Sequence, residues 1–280
     1  MPGLLAFHAH PDDEATSMGG TLAHYSDAGE QVVVITATDG AVGEIHNYDN
    51  PEELQPRLAE LRAEEMAKAA AILGVEHEFL GYRDSGMMGT EENNHPDCFW
   101  QADFMEATGR LVRLIRKYRP EVVAIYDPFG GYGHPDHIQV HRIGLAAFYG
   151  ASDLARFPLA PGEQDWTPPK LYWTAWARSR MAAFAEARHE AGLISAEDRD
   201  RMSRGGTADE YIHAWVDIRS QLDRKFDALR AHRTQIPADW WLFQVPEELR
   251  PEVFGRESYI RVFSRVEVPT PEDDLFAGLR

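Results

Sequence analysis

One cysteine, Cys98, among 280 residues leaves no partner for a disulfide within the chain. That suits a reducing compartment, and a lone thiol of this kind reads as a packed small hydrophobe rather than a nucleophile. Long apolar runs are missing as well. No stretch approaches the roughly eighteen consecutive apolar residues of a membrane-spanning helix, and no basic segment followed by an apolar one marks a secretory signal at the start. A soluble, cytoplasmic protein is expected. Positive charge is scarce: 28 Lys and Arg face 46 Asp and Glu, a formal net charge of −18. Such a surface repels nucleic-acid backbones and anionic membranes. It leaves a small neutral or cationic molecule as the partner, and much of the acidity serves solubility. There is no internal repeat and no low-complexity tract.

What is present is the composition of an ordinary globular chain, 44% hydrophobic and 26% charged. Its first half alternates two periodicities. Strands are expected over 4–7, 31–38, 78–80 and 122–126, the second of them a continuous β-branched run suited to burial on both faces. Helices are expected over 16–29, 57–73, 104–118 and 137–149, the second stopped by Gly74. This order predicts βαβ units, hence an α/β fold with a mainly parallel, Rossmann-like sheet flanked by helices. The second half is less regular. A Pro-rich connection over 151–169 precedes strands over 170–176, 211–217 and 258–266 and helices over 178–191 and 219–232. The aromatic, Pro-rich stretch 237–251 reads as a lid or wall. We expect one domain over 1–280, with an α/β core in 1–150 and a flanking or closing C-terminal portion in 151–280.

Chemistry concentrates in two places. His8-Ala9-His10-Pro11-Asp12-Asp13-Glu14 puts two imidazoles and three carboxylates into seven residues directly after the first strand. Strand ends at the carboxyl edge are where open α/β sheets bind ligands, and imidazole with carboxylate suits zinc and similar ions. A solvated acidic loop is the plain alternative. The second place is Gly130-Gly131-Tyr132-Gly133-His134-Pro135-Asp136-His137, again just after an apolar strand. If both strands are parallel neighbours, His10, Asp13 and His137 converge on one ion, leaving a fourth position open as in catalytic zinc sites. Asp12 is then free to act as general base. Asp136 would orient His134 or a ligand imidazole, unless it merely caps the following helix. Tyr132 and His134, in a Gly-rich loop, are placed to donate to an oxyanion, although a packed loop aromatic is an equally simple account of Tyr132.

Together, His8–Glu14 and Gly131–His137 resemble the PIG-L/LmbE-like family of zinc-dependent N-deacetylases. Thr38-Asp39-Gly40, Gly43-Glu44, Arg62, Leu73-Gly74-Val75, Arg83-Asp84-Ser85-Gly86-Met87, Ala231-His232 and Thr234-Gln235 extend the likeness, densely to about residue 150 and sparsely beyond. The resemblance implies His10, Asp13 and His137 as zinc ligands and Asp12 as base. It implies Tyr132 and His134 as oxyanion-stabilising and proton-donating groups, with Asp136 tuning His134. Arg62 and Asp84 are implied to hold sugar hydroxyls, and His8 and Glu14 to give support. The implied reaction removes an N-acyl group, N-acetyl first, from a glucosamine-containing small molecule by zinc-activated water. Within the family the chain is similar to both arms of the mycothiol pathway. Asp84–Gly89, Gly131–Gly133 and Ser17 are deacetylase-like. Gly43–Asn47, Asp97–Phe99 and Leu275–Gly278 look like the S-conjugate amidase. Iron(II) is an alternative ion, and a homo-oligomer is compatible with a compact α/β enzyme.

Three other classes fit some of these residues. Two His and one carboxylate also describe non-haem iron oxygenases, against which the βα alternation weighs. A nucleotide-binding module would need Gly-x-Gly-x-x-Gly after the first strand, where His10 and Asp13 stand instead. A metal-stabilised binding protein without catalysis is the third.

Overall fold

The computed structural model describes residues 3–280. Five strands, β1 (Leu4–His8), β2 (Val32–Thr38), β3 (Glu76–Tyr82), β4 (Val122–Ile125) and β5 (Lys170–Ala175), run parallel. β6 (Ala214–Asp217) and β7 (Arg256–Ser264) complete one sheet in the order β3-β2-β1-β4-β5-β7-β6, with β7 antiparallel to both its neighbours. The helices are α1 (Asp13–Asp27), α2 (Pro51–Leu54), α3 (Leu58–Leu73), α4 (Phe104–Tyr118), α5 (Pro135–Gly150), α6 (Arg178–Glu190), α7 (Ala196–Met202), α8 (Leu222–Ala231) and α9 (Arg250–Phe254). The expected α/β class and mainly parallel sheet are what is found. β1 alternates its side chains between faces: Leu4 and Ala6 pack with residues of α1, α3 and α8, while Leu5 and Phe7 pack with α4 and α5.

Several boundaries move for identifiable reasons. α1 begins at Asp13 rather than residue 16, because the Asp12 carbonyl already accepts from the Thr16 amide at 3.1 Å. Two acidic residues in its first turn suit the positive end of a helix. β3 is longer than expected, and α7, capped by the Ser195 side chain on the Asp198 amide, was not anticipated at all. The stretch 237–251, expected as a lid or wall, contributes to the core. Leu242 and Val245 are fully enclosed in the core on the α8 face, with Trp240, Trp241 and Phe243 packed around them.

α1 is broken at Met18, whose backbone leaves the helical region (φ −148°, ψ 23°). The break frees the amides of Gly20 and Thr21, and the Glu257 carboxylate of β7 accepts both, at 3.2 and 2.7 Å. Lys225 of α8 donates to Glu257 at 2.5 Å and to the freed Thr16 carbonyl at 3.0 Å. This buried pair therefore ties α1 to the C-terminal half of the chain. Removing one partner of a dry pair leaves an uncompensated charge and costs about 3–5 kcal/mol. We predict a loss of that size in urea unfolding of Glu257→Leu. A loss below about 1 kcal/mol would mean that solvent screens the pair.

Candidate metal and catalytic centre

The strand order reverses direction between β1 and β4, since β2 and β3 lie on one side of β1 and β4 on the other. Ligands of open α/β sheets bind at such a switch point, outside the carboxyl ends of the strands. Both sequence clusters sit there. β1 runs into His10, Asp12 and the first turn of α1, and the loop after β4 leads to His134, the N-cap of α5, and to Asp136 and His137 in its first turn. Gly130 at φ +64° is required for this approach, because a Cβ there would meet the His137 Cβ at 2.5 Å. β2 and β3 contribute the segments around Gly40 and Asp84 at the same edge.

His10 is the hub. Its Nδ1 lies 3.3 Å from Asp13 Oδ2, and its Nε2 is 3.2 Å from Asp136 Oδ2 and 3.5 Å from Asp84 Oδ1. Burial opposes protonation of His10, but these carboxylates, Asp84 foremost, push its pKa well above the usual histidine value. His137 Nε2 lies 3.3 Å from the same Asp13 oxygen, yet it has no hydrogen-bond partner among the described residues. Asp13 also accepts from the His10 amide at 2.7 Å. Burial works against its charge, yet His137 and His10 hold its carboxyl well below the usual range.

The donor atoms of His10, His134 and His137 lie within 4.8 Å of one another, as do those of His10, Asp84, His134 and Asp136. The cluster can therefore hold a metal ion. Zinc bonds of about 2.0–2.1 Å place tetrahedral donors about 3.4 Å apart. The two 3.3 Å separations from Asp13 to His10 and to His137 match that figure. His134 differs in its tautomer. Its Nδ1 accepts the Asp136 backbone N–H at 3.1 Å, so its proton resides on Nε2, which is then a donor and not a ligand. Burial and the neighbouring His10 and His137 lower its pKa to about 3, so the ring is neutral at pH 7.

Asp12 occupies a backbone conformation rare outside glycine, φ +120°. Strain of this kind costs about 1–3 kcal/mol and clusters at functional sites. Burial lifts its carboxyl to about 6, Arg62 pulls it back, and Asp13 adds to the rise. That is the range of a working general base. Asp12 Oδ2 accepts from Arg62 at 3.3 Å.

Arg62 requires a correction. It is buried, and its guanidinium donates to Pro11 O at 2.5 Å and Gly40 O at 2.9 Å besides Asp12. It braces the turn that carries Asp12 from beneath rather than reaching outward. Asp84 is likewise turned inward, accepting from the Gly86 and Val42 amides at 2.8 and 3.3 Å while facing His10. The Asp136 carboxylate meets His10, while the His134 ring takes the Asp136 backbone N–H, and Ser85 donates to that carboxylate through both its amide and its hydroxyl. Tyr132 is 59% exposed, with its ring centroid 4.9 Å from that of His137. Its pKa is raised by desolvation and by Asp13, so the hydroxyl keeps its proton.

Sequence reasoning missed Tyr126 and left the partner of Glu14 unassigned. Tyr126 stacks flat on His137, with centroids 4.4 Å apart and planes at 9°, and its hydroxyl meets His8 Nδ1 at 2.9 Å. Only its place directly after β4 could have signalled this. His232, 218 residues from Glu14, pairs with it at 2.8 Å, both fully buried. Because Arg62 lowers the Asp12 pKa, Arg62→Gln should move the Asp12 titration above about 6. Carboxyl NMR of the metal-free protein checks this, and an unmoved or lowered value would remove Arg62 as its counter-ion.

Residues 5–148 match the profile of the family described as GlcNAc-PI de-N-acetylase, or PIG-L. The chain is 40% identical to a 1D-myo-inositol 2-acetamido-2-deoxy-alpha-D-glucopyranoside deacetylase of Catenulispora acidiphila, over 99% of this chain and 89% of that one. It is 38% identical to a mycothiol S-conjugate amidase of Streptomyces coelicolor, over 99% and 97%. Its fold is similar to that of the N,N'-diacetylchitobiose deacetylase of Pyrococcus horikoshii, with a TM-score of 0.63 at 22% identity, covering 93% of this chain and 83% of that chain.

Proposed function

The chain belongs to the GlcNAc-PI de-N-acetylase family, and from that premise we propose that it is a metal-dependent amide hydrolase releasing an N-acetyl group from a glucosamine-containing small molecule. The observation that carries the assignment of roles is the division of labour around His10. Asp13 bridges two imidazoles at donor-like separations, while Asp12, one residue earlier, faces Arg62 with its carboxyl lifted by burial to about 6. In this reading His10, Asp13 and His137 hold the ion, zinc first and iron(II) as the alternative. When bound, the ion supplies Lewis acidity, polarising the acyl carbonyl and acidifying a water.

The remaining work belongs to side chains. Asp12 accepts the proton of the attacking water, held in place by Arg62. The His134 Nε2–H and the Tyr132 hydroxyl donate to the oxygen that gains charge as the carbonyl becomes tetrahedral. Neutral His134 holds its Nε2 proton too tightly to release it at pH 7, so protonated Asp12 delivers the proton to the departing amine. Asp136 and Asp84 orient His10, and Tyr126 fixes the plane of His137. The full-length likeness to an S-conjugate amidase supports a second substrate class. The bond broken is again a linear amide, and the same residues serve it. The oxygenase reading has no support in this family. The cytoplasm is our reading of the compartment.

Two experiments test this. Asp12→Asn should retain zinc and lose at least about a hundredfold in turnover, read as free amine from N-acetylglucosaminyl-inositol, simple N-acetylglucosamine and thiol conjugates. Near-normal turnover would remove Asp12 as the base. Zinc titration should show Asp13→Ala and His137→Ala weakened by well over a factor of about a hundred and His134→Ala little changed. The reverse ranking would place His134 among the ligands.

A further inference from the structure

Asp12 stands at the N-cap of α1, where an aspartate ordinarily turns its carboxyl back onto the first free amides of the helix. Here it makes no such cap. Its backbone adopts φ +120° and ψ −24°, and its carboxyl faces Arg62 instead. Such a conformation persists in an L-residue only where the surroundings over-determine it.

Three side chains grip the backbone on either side of Asp12. The Pro11 carbonyl accepts from Arg62 at 2.5 Å, and at the other end of the same peptide unit the Asp12 amide donates to Glu14 Oε2 at 3.0 Å. The plane that precedes Asp12 is thus pinned at both edges, which fixes φ. The Asp12 carbonyl accepts from the Thr16 amide and hydroxyl at 3.1 and 3.0 Å, which fixes ψ. Glu14 is fully buried, and its second oxygen, Oε1, meets His232 Nε2 at 2.8 Å. With both oxygens engaged, the plane of the Glu14 carboxylate is set as well.

His232 comes from the end of α8 in the C-terminal half and is itself immobilised. Its carbonyl accepts from the Gln235 and Ile236 amides at 3.0 and 2.8 Å. Two residues on, Thr234 donates through its amide and hydroxyl to Glu65 at 2.9 and 2.7 Å. Glu65 lies about one turn after Arg62 on α3. One helix therefore anchors both the Arg62 grip on Asp12 and the segment that carries His232.

We propose that Glu14 and His232 are positioning residues for the general base. Glu14 holds the Asp12 amide, His232 holds Glu14, and together they keep the Asp12 carboxyl off the helix end and facing Arg62. This rests on the reading of Asp12 as the base. Without the grip, Asp12 relaxes to an ordinary N-cap with its carboxyl folded onto the Glu14 or Ala15 amide. A displacement of about 1 Å in a catalytic group costs about a hundredfold.

The test measures kcat, KM, zinc affinity and exchange of the Asp12 amide in the zinc-loaded protein, with N-acetylglucosaminyl-inositol as substrate. Glu14→Ala should lower kcat by about thirtyfold and His232→Ala by about tenfold, with KM and zinc affinity within about threefold of the parent. The Asp12 amide should exchange at least about tenfold faster in Glu14→Ala. His232→Gln, whose side-chain N–H replaces the donor to Glu14, should restore most of the rate, and His232→Leu, which fills the space without a donor, should not. Where Glu14→Ala does not fold, Glu14→Gln, with one acceptor oxygen in place of two, should show the same losses in smaller measure. Parent-like kcat in the Glu14 and His232 variants, zinc affinity falling in step with kcat, or His232→Leu as active as His232→Gln would overturn the proposal. Asp12→Asn measured alongside separates the two levels. If it stays active, the base is misassigned and the proposal falls with it, whereas an inactive Asp12→Asn beside active Glu14→Ala and His232→Ala removes the positioning role alone.

Discussion

Four carboxylates, those of Asp12, Asp13, Asp84 and Asp136, crowd a crevice from which much of the water is excluded. Like charges so placed repel strongly, because neither solvent nor salt screens them well. Cations must hold them together, and among the described residues Arg62, His10 and His137 stand at close range. Under the proposed function a divalent ion would settle the balance and would leave His10 a neutral ligand. Much of the local architecture follows from this. Backbone amides turn toward Asp13, Asp84 and Asp136, Ser85 donates twice to Asp136, and two of the carboxylates stand in helix first turns.

The sheet makes such crowding achievable. The crevice between β1 and β4 brings residues 10–13 and 134–137 together across more than a hundred positions of sequence. The C-terminal half stiffens the arrangement from outside. His232 caps Glu14, Glu65 accepts from Thr234, and Glu257 with Lys225 bridges the break in α1. The later strands extend the same sheet and brace the helix that carries Asp13, which is a different task from closing a lid over it.

The parallel sheet, its strand ends and the two clusters were legible because local pattern and local chemistry coincide there. Apolar runs stop, and His and Asp begin at once. The roles of Arg62 and Asp84 were not legible. A family likeness singles out a residue, but whether an Arg points into a cavity or beneath a turn depends on packing that spacing does not encode. Gly40 shows the point, since a Cβ there would lie 2.5 Å from the Arg62 guanidinium, a contact between residues 22 apart. Tyr126, His232 and the break at Met18 stayed hidden for the same reason, as each has its meaning only through a distant partner.

Asp12 and Asp13 set the chemistry by being unlike. Identical in type and adjacent in sequence, they are separated by one backbone choice. The positive φ of Asp12 turns its side chain toward Arg62, while Asp13 enters α1 and meets two imidazoles. One carboxyl is thereby held far below its usual range and the other raised to about 6. Pushing paired groups apart in this way is how one site assigns a charge-bearing role and a proton-moving role to the same kind of side chain. Under the proposed function a bound cation would lower both values without reversing their order, because Asp13 would gain more from direct contact than Asp12 at a distance. In the proposed mechanism the strain at Asp12 is thus the means by which a repeated Asp takes two roles.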